Sequence, residues 1–346
     1  MPQSIDSILF VSFGGPEGPE DVIPFLENVL RGRPVPRERL LEVADHYQHF
    51  GGISPINDQN RDIMARLEAG LRDANLNLPV IWGNRNWKPY IADAFAEMQE
   101  RGLKRALPIF TNMFSSYSGC RQYRENIQDA IQSSCGGQQL TVPRLRFGFN
   151  HPLFIDAQAS LIGEAYSRLT EEQRASARLL YSAHSIPNSM SENCNYVAQL
   201  KEAGRLIAEQ LKIESWDLVY QSRSGPPQQP WLEPDISDRI RELATEGTQA
   251  VVVAPLGFVS DHMEVLFDLD TEAKATCEEL GLVYSRANAV GTHPLFIKML
   301  IELIQERLNE GSTRRSIGSM PPLHDVCPEN CCLYPKPAGR PSERPV

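Results

Sequence analysis

The strongest constraint on the fold is a repeated alternation of short apolar runs with longer stretches of helical periodicity. The runs are ILFVSF (8–13), PVIW (79–82), RALPIF (105–110), RLLYSA (178–183), LVYQS (218–222), AVVVAPLGF (250–258) and LVYS (282–285). They are rich in Val, Ile and aromatic residues, as expected of strands buried on both faces. Between them, DQNRDIMARLEAGLRD places Ile63, Met64, Leu67 and Leu71 on one helical face, and 91–101, 153–168, 195–211, 236–246 and 294–310 behave alike. Strand–helix alternation of this kind predicts an α/β fold with mainly parallel sheets. It occurs twice, over 7–115 and 175–290, so two similar lobes facing a cleft are expected. Residues 312–346 are Pro-rich with little periodicity and read as an extended tail, ordered only if something pins it.

A chain of 346 residues suits two lobes. The net charge of −10 argues against a broad nucleic-acid surface. No apolar run approaches the roughly 18 residues of a membrane-spanning helix. The N-terminal MPQSIDSILFVSFGG has no basic stretch before its first strand-like run, so it does not read as a signal peptide. Together with an odd count of seven cysteines, this predicts a reducing, cytoplasmic setting without a disulfide framework. GxGxxG and GxxxxGK[ST] are both absent, and no nucleotide cofactor is expected.

In open parallel sheets, ligands bind beyond the carboxyl ends of the strands. The first run ends in Phe13-Gly14-Gly15-Pro16, which serves equally as a tight turn or as a close approach to a flat ligand. RLLYSA ends in His184, placed either to exchange protons or to make a structural hydrogen bond. AVVVAPLGF is followed by His262 and then by Glu264, Asp268 and Glu272 at i, i+4 and i+8. On a helix these carboxylates share one face. Their repulsion costs stability unless a cation or protons pass along them, while a solvated acidic face is the plain alternative. A His and a carboxylate with open positions suit Fe(II) and similar ions.

At these residues the chain resembles the ferrochelatase family. LLYSAHSIP, the WLEP around Trp231 and APLGFVSDHMEVLFDLD resemble its signature regions, and SFGGPE, HFGGISPIN and WGNRNW follow in the expected order across residues 5–310. The resemblance implies two Rossmann-like lobes around a porphyrin cleft, here 1–115 with 292–312, and 116–291, followed by the tail 313–346. It implies an enzyme of haem synthesis that takes Fe(II) as substrate and inserts it into a porphyrin. His184 matches the active-site histidine, Glu264 its partner, and Asp268 and Glu272 the acidic line leading away; these four are the implied metal contacts. Phe13 lies where relatives place a residue under the porphyrin face, and a Phe cannot ligate iron. Trp231 is expected in the pocket wall. FSSYSGCRQYREN resembles the coproporphyrin type, in which a serine matching Ser54 and a tyrosine matching Tyr123 contact the iron porphyrin. Packing on a helix is an equal reading for Tyr123. Arg31, Arg33, Arg37 and Arg39 are candidates to meet propionates, or simply form a solvated basic lip. A sister chelatase for another metal, and a non-catalytic porphyrin or haem carrier, are the competing functions; the acidic ladder argues against a carrier. Iron-donor or haem-acceptor proteins and a peripheral membrane contact are left open.

Cys327, Cys331 and Cys332 cluster in HDVCPENCC. Some ferrochelatases hold a [2Fe–2S] cluster with three tail cysteines and one from the N-terminal half, and thiolates bind such clusters in fours. The resemblance makes Cys120 the fourth ligand, with Cys135 in reserve. The C-x3-C-C spacing departs from the C-x2-C-x4-C of the animal enzymes. A structural zinc site and idle thiols are the alternatives.

Overall fold

The structure is a computed structural model that describes residues 4–32, 35–134, 140–225, 228–309 and 311–335. Each expected apolar run forms a strand: β1 (Ser7–Ser12), β2 (Val80–Asn84), β3 (Ala106–Phe110), β4 (Ala177–His184), β5 (Trp216–Gln221), β6 (Ala250–Ala254) and β7 (Val283–Arg286). They make two all-parallel sheets, ordered β2-β1-β3 and β5-β4-β6-β7. β1 and β6 are buried along their whole lengths, which is why they read as unbroken apolar runs rather than alternating ones.

The helices are α1 (Val22–Val29), α2 (Arg37–His49), α3 (Ile56–Asp73), α4 (Ile91–Glu100), α5 (Gln122–Ser134), α6 (Pro152–Ser167), α7 (Glu171–Ser176), α8 (Asn188–Ser191), α9 (Tyr196–Leu211), α10 (Ile236–Thr245), α11 (Met263–Val265), α12 (Lys274–Glu279) and α13 (Pro294–Leu308). Ile63, Leu67 and Leu71 on α3 are buried as the periodicity predicts. α5 packs on α4, and Thr141 bridges Arg105, so the chain stays with the first sheet past residue 115. We infer that the lobe boundary lies nearer residue 150. α13 lies on both α3 and α6. One apolar cluster spans both sheets, and a smaller one joins α1 and α2 to Met263.

The described part of the tail is held largely by polar contacts, with Leu323 buried in the core and Tyr334 edge-on to Tyr117 as its apolar anchors. The Arg146 guanidinium, fully buried, forks onto Glu306 at 2.7 Å on both arms and also donates to the Arg315 carbonyl at 3.0 Å. Asn150 accepts from the Ile317 N–H and donates to the Met320 carbonyl. The Glu202 carboxylate accepts the Ser319 N–H and hydroxyl. Arg314 reaches the Leu323 carbonyl and Asp325. Among the described residues no helix is long and apolar enough to cross a membrane.

Removing one member of a buried ion pair strands the other charge. Glu306→Gln is therefore expected to cost about 3 kcal/mol in urea unfolding and to speed proteolysis between residues 311 and 325.

Candidate active site

The site is built at the carboxyl ends of three adjacent strands. His184 is the last residue of β4, and its carbonyl accepts the Tyr196 hydroxyl at 3.1 Å, fixing the strand end. Nδ1 of His184 lies 2.6 Å from the Ser185 carbonyl, which only accepts. In the neutral ring Nδ1 therefore carries the proton, and Nε2 presents a lone pair toward Glu264, 3.8 Å from Oε2. That gap is too long for a hydrogen bond. It suits one first-row divalent ion with ligand bonds of roughly 2 Å.

Glu264 comes from the loop and short α11 that follow β6, the strand beside β4. Beyond it the backbone does not continue as an α-helix. Leu266–Ala273 form a π-helix with i→i+5 bonding before α12 resumes. Such segments occur mostly as short bulges, frequently at functional sites. Asp268, in this segment, is held by the third strand: Gln221 Nε2 at the end of β5 donates to it at 3.1 Å, and the Ser222 hydroxyl donates beside it. Burial pushes its carboxyl up to about 7 against the Ser222 bond, with Glu264 and Glu272 adding to the rise. Burial also raises Glu272, with Asp235 contributing, and raises Asp235 itself. Asp235, which caps α10 by accepting the Ser237 N–H, is a further carboxylate near Glu272 that the sequence reading missed. Burial depresses His262, with Glu264 opposing the shift and His184 reinforcing it.

From the first lobe, buried Ser54 meets this segment, accepting the Met263 N–H at 3.4 Å. Gly15 packs against Ser54 so closely that an added Cβ would lie 2.7 Å from the Ser54 Cβ, which explains the glycine there. His46 of α2 stacks on Phe267 at 3.8 Å, and burial raises the Tyr47 hydroxyl with Glu264 adding to it. Phe13 and Tyr123 form a second group. The Arg85 guanidinium lies 5.8 Å from the Phe13 ring and 4.9 Å from the Tyr123 ring, while its Nε donates to Asn126. Tyr123 is buried against Phe110, so helix packing accounts for most of its surface. Trp231 bridges Pro187, three residues beyond His184, and its indole N–H is buried without a partner. Asn86, beside Phe13, has a buried, unpartnered Nδ2 as well. Of the lip arginines, Arg37 and Arg39 are exposed and pair with Glu27 and Glu42, Arg31 is exposed, and Arg33 lies outside the described residues.

The family profile for Ferrochelatase matches residues 6–308. The chain belongs to the ferrochelatase family. A relative named Ferrochelatase from Rhodopirellula baltica is 54% identical, with 97% of each chain aligned. Relatives named Coproporphyrin III ferrochelatase from Streptomyces griseus and Nocardia farcinica are 46% and 47% identical, covering 99% and 97% of this chain and 98% and 100% of theirs. The solved structure of SirB from Bacillus subtilis with Fe3+ aligns over 88% of this chain and 95% of its own at a TM-score of 0.52 and 12% identity, a likeness of fold. As a ferrochelatase, the protein is an enzyme that inserts Fe(II) into a porphyrin in haem synthesis.

The tail cysteines meet the body at one place. Cys120, on a short π-helical turn (Tyr117–Arg121) capped by Ser116, hydrogen-bonds Cys327. Cys331 and Cys332 sulfurs are 3.6 Å apart, and the ligand atoms of His324, Cys327 and Cys331 lie within 4.8 Å of one another. Bonds from the Cys120 and Cys331 thiols, with the charge of Arg144, hold Cys327 far below the ordinary thiol range. Arg144 Nη1 donates to its sulfur. Arg121 clamps the loop through the Glu329 and Cys331 carbonyls at 2.6 and 3.1 Å. The compact set of possible ligands is His324, Cys327 and Cys331, with Cys332 beside Cys331 and Cys120 beside Cys327. Cys135 lies outside the described residues.

The folded-state value of Asp268 lies above the ordinary 3.8. Its stabilising contribution is therefore complete below about pH 4 and lost as pH rises through about 7. Asp268→Asn is expected to exceed the parent in stability by roughly 2–4 kcal/mol at pH 8 and to match it near pH 4. Parallel stability–pH curves in urea would show that Asp268 titrates normally.

Proposed function

We propose that this ferrochelatase inserts Fe(II) into coproporphyrin III, with His184 as metal contact and first proton acceptor and Glu264 as its partner. The observation that carries the reading is the His184 Nε2 lone pair facing Glu264 across 3.8 Å, backed by an acidic line that runs from partly buried Glu264 and Asp268 to exposed Glu272. Insertion exchanges one Fe(II) for two pyrrole protons. A flat macrocycle does not aim its nitrogen lone pairs at an incoming ion. The cleft contacts of Phe13, Ser54, Tyr123 and Trp231 are therefore assigned to holding the ring bent, binding energy offsetting the strain. Fe(II) passes to His184 and Glu264; the two protons leave over His184, Glu264, Asp268 and Glu272. A carboxyl near neutrality, such as Asp268, both takes and releases protons at working pH.

Support for the substrate comes from the relatives named for coproporphyrin III and from the Arg85 cation beside Phe13. Four propionates make this porphyrin more dependent on charge than one with two. The cytoplasm is the assigned compartment, on the strength of the free thiols.

Cys120, Cys327, Cys331 and Cys332 are the residues assigned to a [2Fe–2S] cluster. Bound there, the cluster would supply a one-electron redox centre and a staple between tail and body. The Arg121 clamp and the Arg144 bond orient the thiolates that would receive it.

Anaerobic assays with Fe(II) should show faster insertion into coproporphyrin III than into protoporphyrin IX, with the margin narrowing at high salt. His184→Ala should lose turnover by a factor on the order of 10³ yet still bind porphyrin by fluorescence quenching, and Glu264→Gln should fall nearly as far. Preference for protoporphyrin IX at every salt concentration would overturn the substrate, and normal turnover in His184→Ala would overturn its role. Anaerobically purified protein should be red-brown, with labile sulfide lost in Cys120→Ser and Cys331→Ser; zinc in place of sulfide would exclude the cluster.

A further inference from the structure

The segment that carries Glu264 is gripped from both lobes. On the first-lobe side, the Gln59 amide of α3 pairs with both backbone groups of Asp261: it accepts the N–H at 2.8 Å and donates to the carbonyl at 3.5 Å. On the second-lobe side stands Arg286, the last residue of β7. Its Nη1 lies 2.6 Å from Asp261 Oδ1, and its Nε and Nη2 fork onto the two oxygens of Asp270 at 2.7 and 2.9 Å. The other Asp261 oxygen accepts the Ala289 N–H at 3.0 Å. Arg286 is largely buried, with 12% of its side chain exposed.

Asp270 sits in the π-helix between Asp268 and Glu272. One guanidinium therefore ties the start of the acidic segment to its middle. Tyr284, two residues earlier on β7 and so on the same strand face, donates its hydroxyl to the Leu269 carbonyl at 2.7 Å, inside the same π-helix. Ser285, between them, points to the opposite side and donates to the Ala165 carbonyl of α6. A π-helix is rare and short-lived in isolation, and here β7 supplies the outside contacts that hold it.

We propose that Arg286 is a positioning residue for metal delivery: by bridging Asp261 and Asp270 it holds the π-helical register in which Glu264, Asp268 and Glu272 line up toward His184. The inference rests on the reading of that ladder as the metal and proton path. Arg286 touches neither substrate; it acts through the backbone that carries the ladder. Its loss affects capture of the divalent ion and leaves the porphyrin surface in place.

The test uses Arg286→Met, Arg286→Lys and Asp270→Asn in the full-length enzyme. Asp270→Asn removes only the π-helix arm and leaves the Arg286–Asp261 contact, so it serves if the Arg286 variants fail to fold. KM for Fe(II), kcat, porphyrin Kd and unfolding midpoint are measured for each. Outer partners of metal ligands typically change metal affinity by roughly 10- to 100-fold. The expected result is a rise of about 10-fold in KM for Fe(II) with porphyrin Kd unchanged, in Arg286→Met and Asp270→Asn alike. Lysine should not rescue, because a point charge cannot fork on Asp270 and reach Asp261 together. A lower unfolding midpoint with unchanged KM for Fe(II) would overturn the positioning role. Asp268→Asn separates this from the premise. If KM for Fe(II) moves in Asp268→Asn but not in Asp270→Asn, the positioning role alone fails. If Asp268→Asn leaves it unmoved, the ladder reading fails and the proposal with it.

Discussion

The site depends on the lateral pairing of parallel strands in one sheet. β5, β4 and β6 are neighbours, with Leu180 of β4 in register with both Asp217 of β5 and Val253 of β6. Parallel neighbours end on the same edge, so three chain segments far apart in sequence emerge side by side. β4 delivers His184, β5 delivers the Gln221 and Ser222 groups that hold Asp268, and β6 opens into the loop bearing Glu264. The hydrogen-bond ladder between strands thus sets a distance that no local motif could set. The ion-sized gap between His184 and Glu264 is a property of sheet spacing as much as of either side chain.

What was legible in the sequence followed from burial. β1, β3 and β6 are buried along their whole lengths and read as unbroken apolar runs, while the part-buried β2, β4, β5 and β7 still showed short apolar cores, and α3, α4, α6, α9, α10 and α13 showed their buried stripes. The helices α1 and α2 did not. α2 reads RERLLEVADHYQH and buries only Leu40, Ala44 and Tyr47, a face too narrow to stand out among charges. The π-helix was invisible for another reason. Carboxylates four apart face together in an α-helix, and a widened turn leaves the same letters in the same order. The contacts that distinguish the two, from Tyr284 and Arg286, come from another strand. Pairings such as Arg286 with Asp261, Ser54 with Met263 and Arg144 with Cys327 are tertiary and carry no local signal.

The tail shows a different limit. Its composition is that of a segment unable to bury an apolar face. The part of it that the structure describes, through residue 335, is ordered all the same, because Arg146, Asn150 and Glu202 offer hydrogen bonds to its backbone while Leu323 adds one buried side chain. Composition reports what a segment can do for itself and is silent on what the body presents to it. The cysteines are the counterpart: their grouping in the sequence was plain, but the convergence of Cys120 with Cys327 depended on Arg121 and on the capped turn beside it.

α13 lies against both α3 and α6, so a helix near the end of the described chain ties an early helix to a middle one. Two bodies joined by a single strand of chain can swivel in any direction. A closing helix inside a core that spans both sheets holds them to each other by packing as well as by the linking chain. A second contact, the stacking of His46 of α2 on Phe267 of the π-helix, joins the two halves at another point.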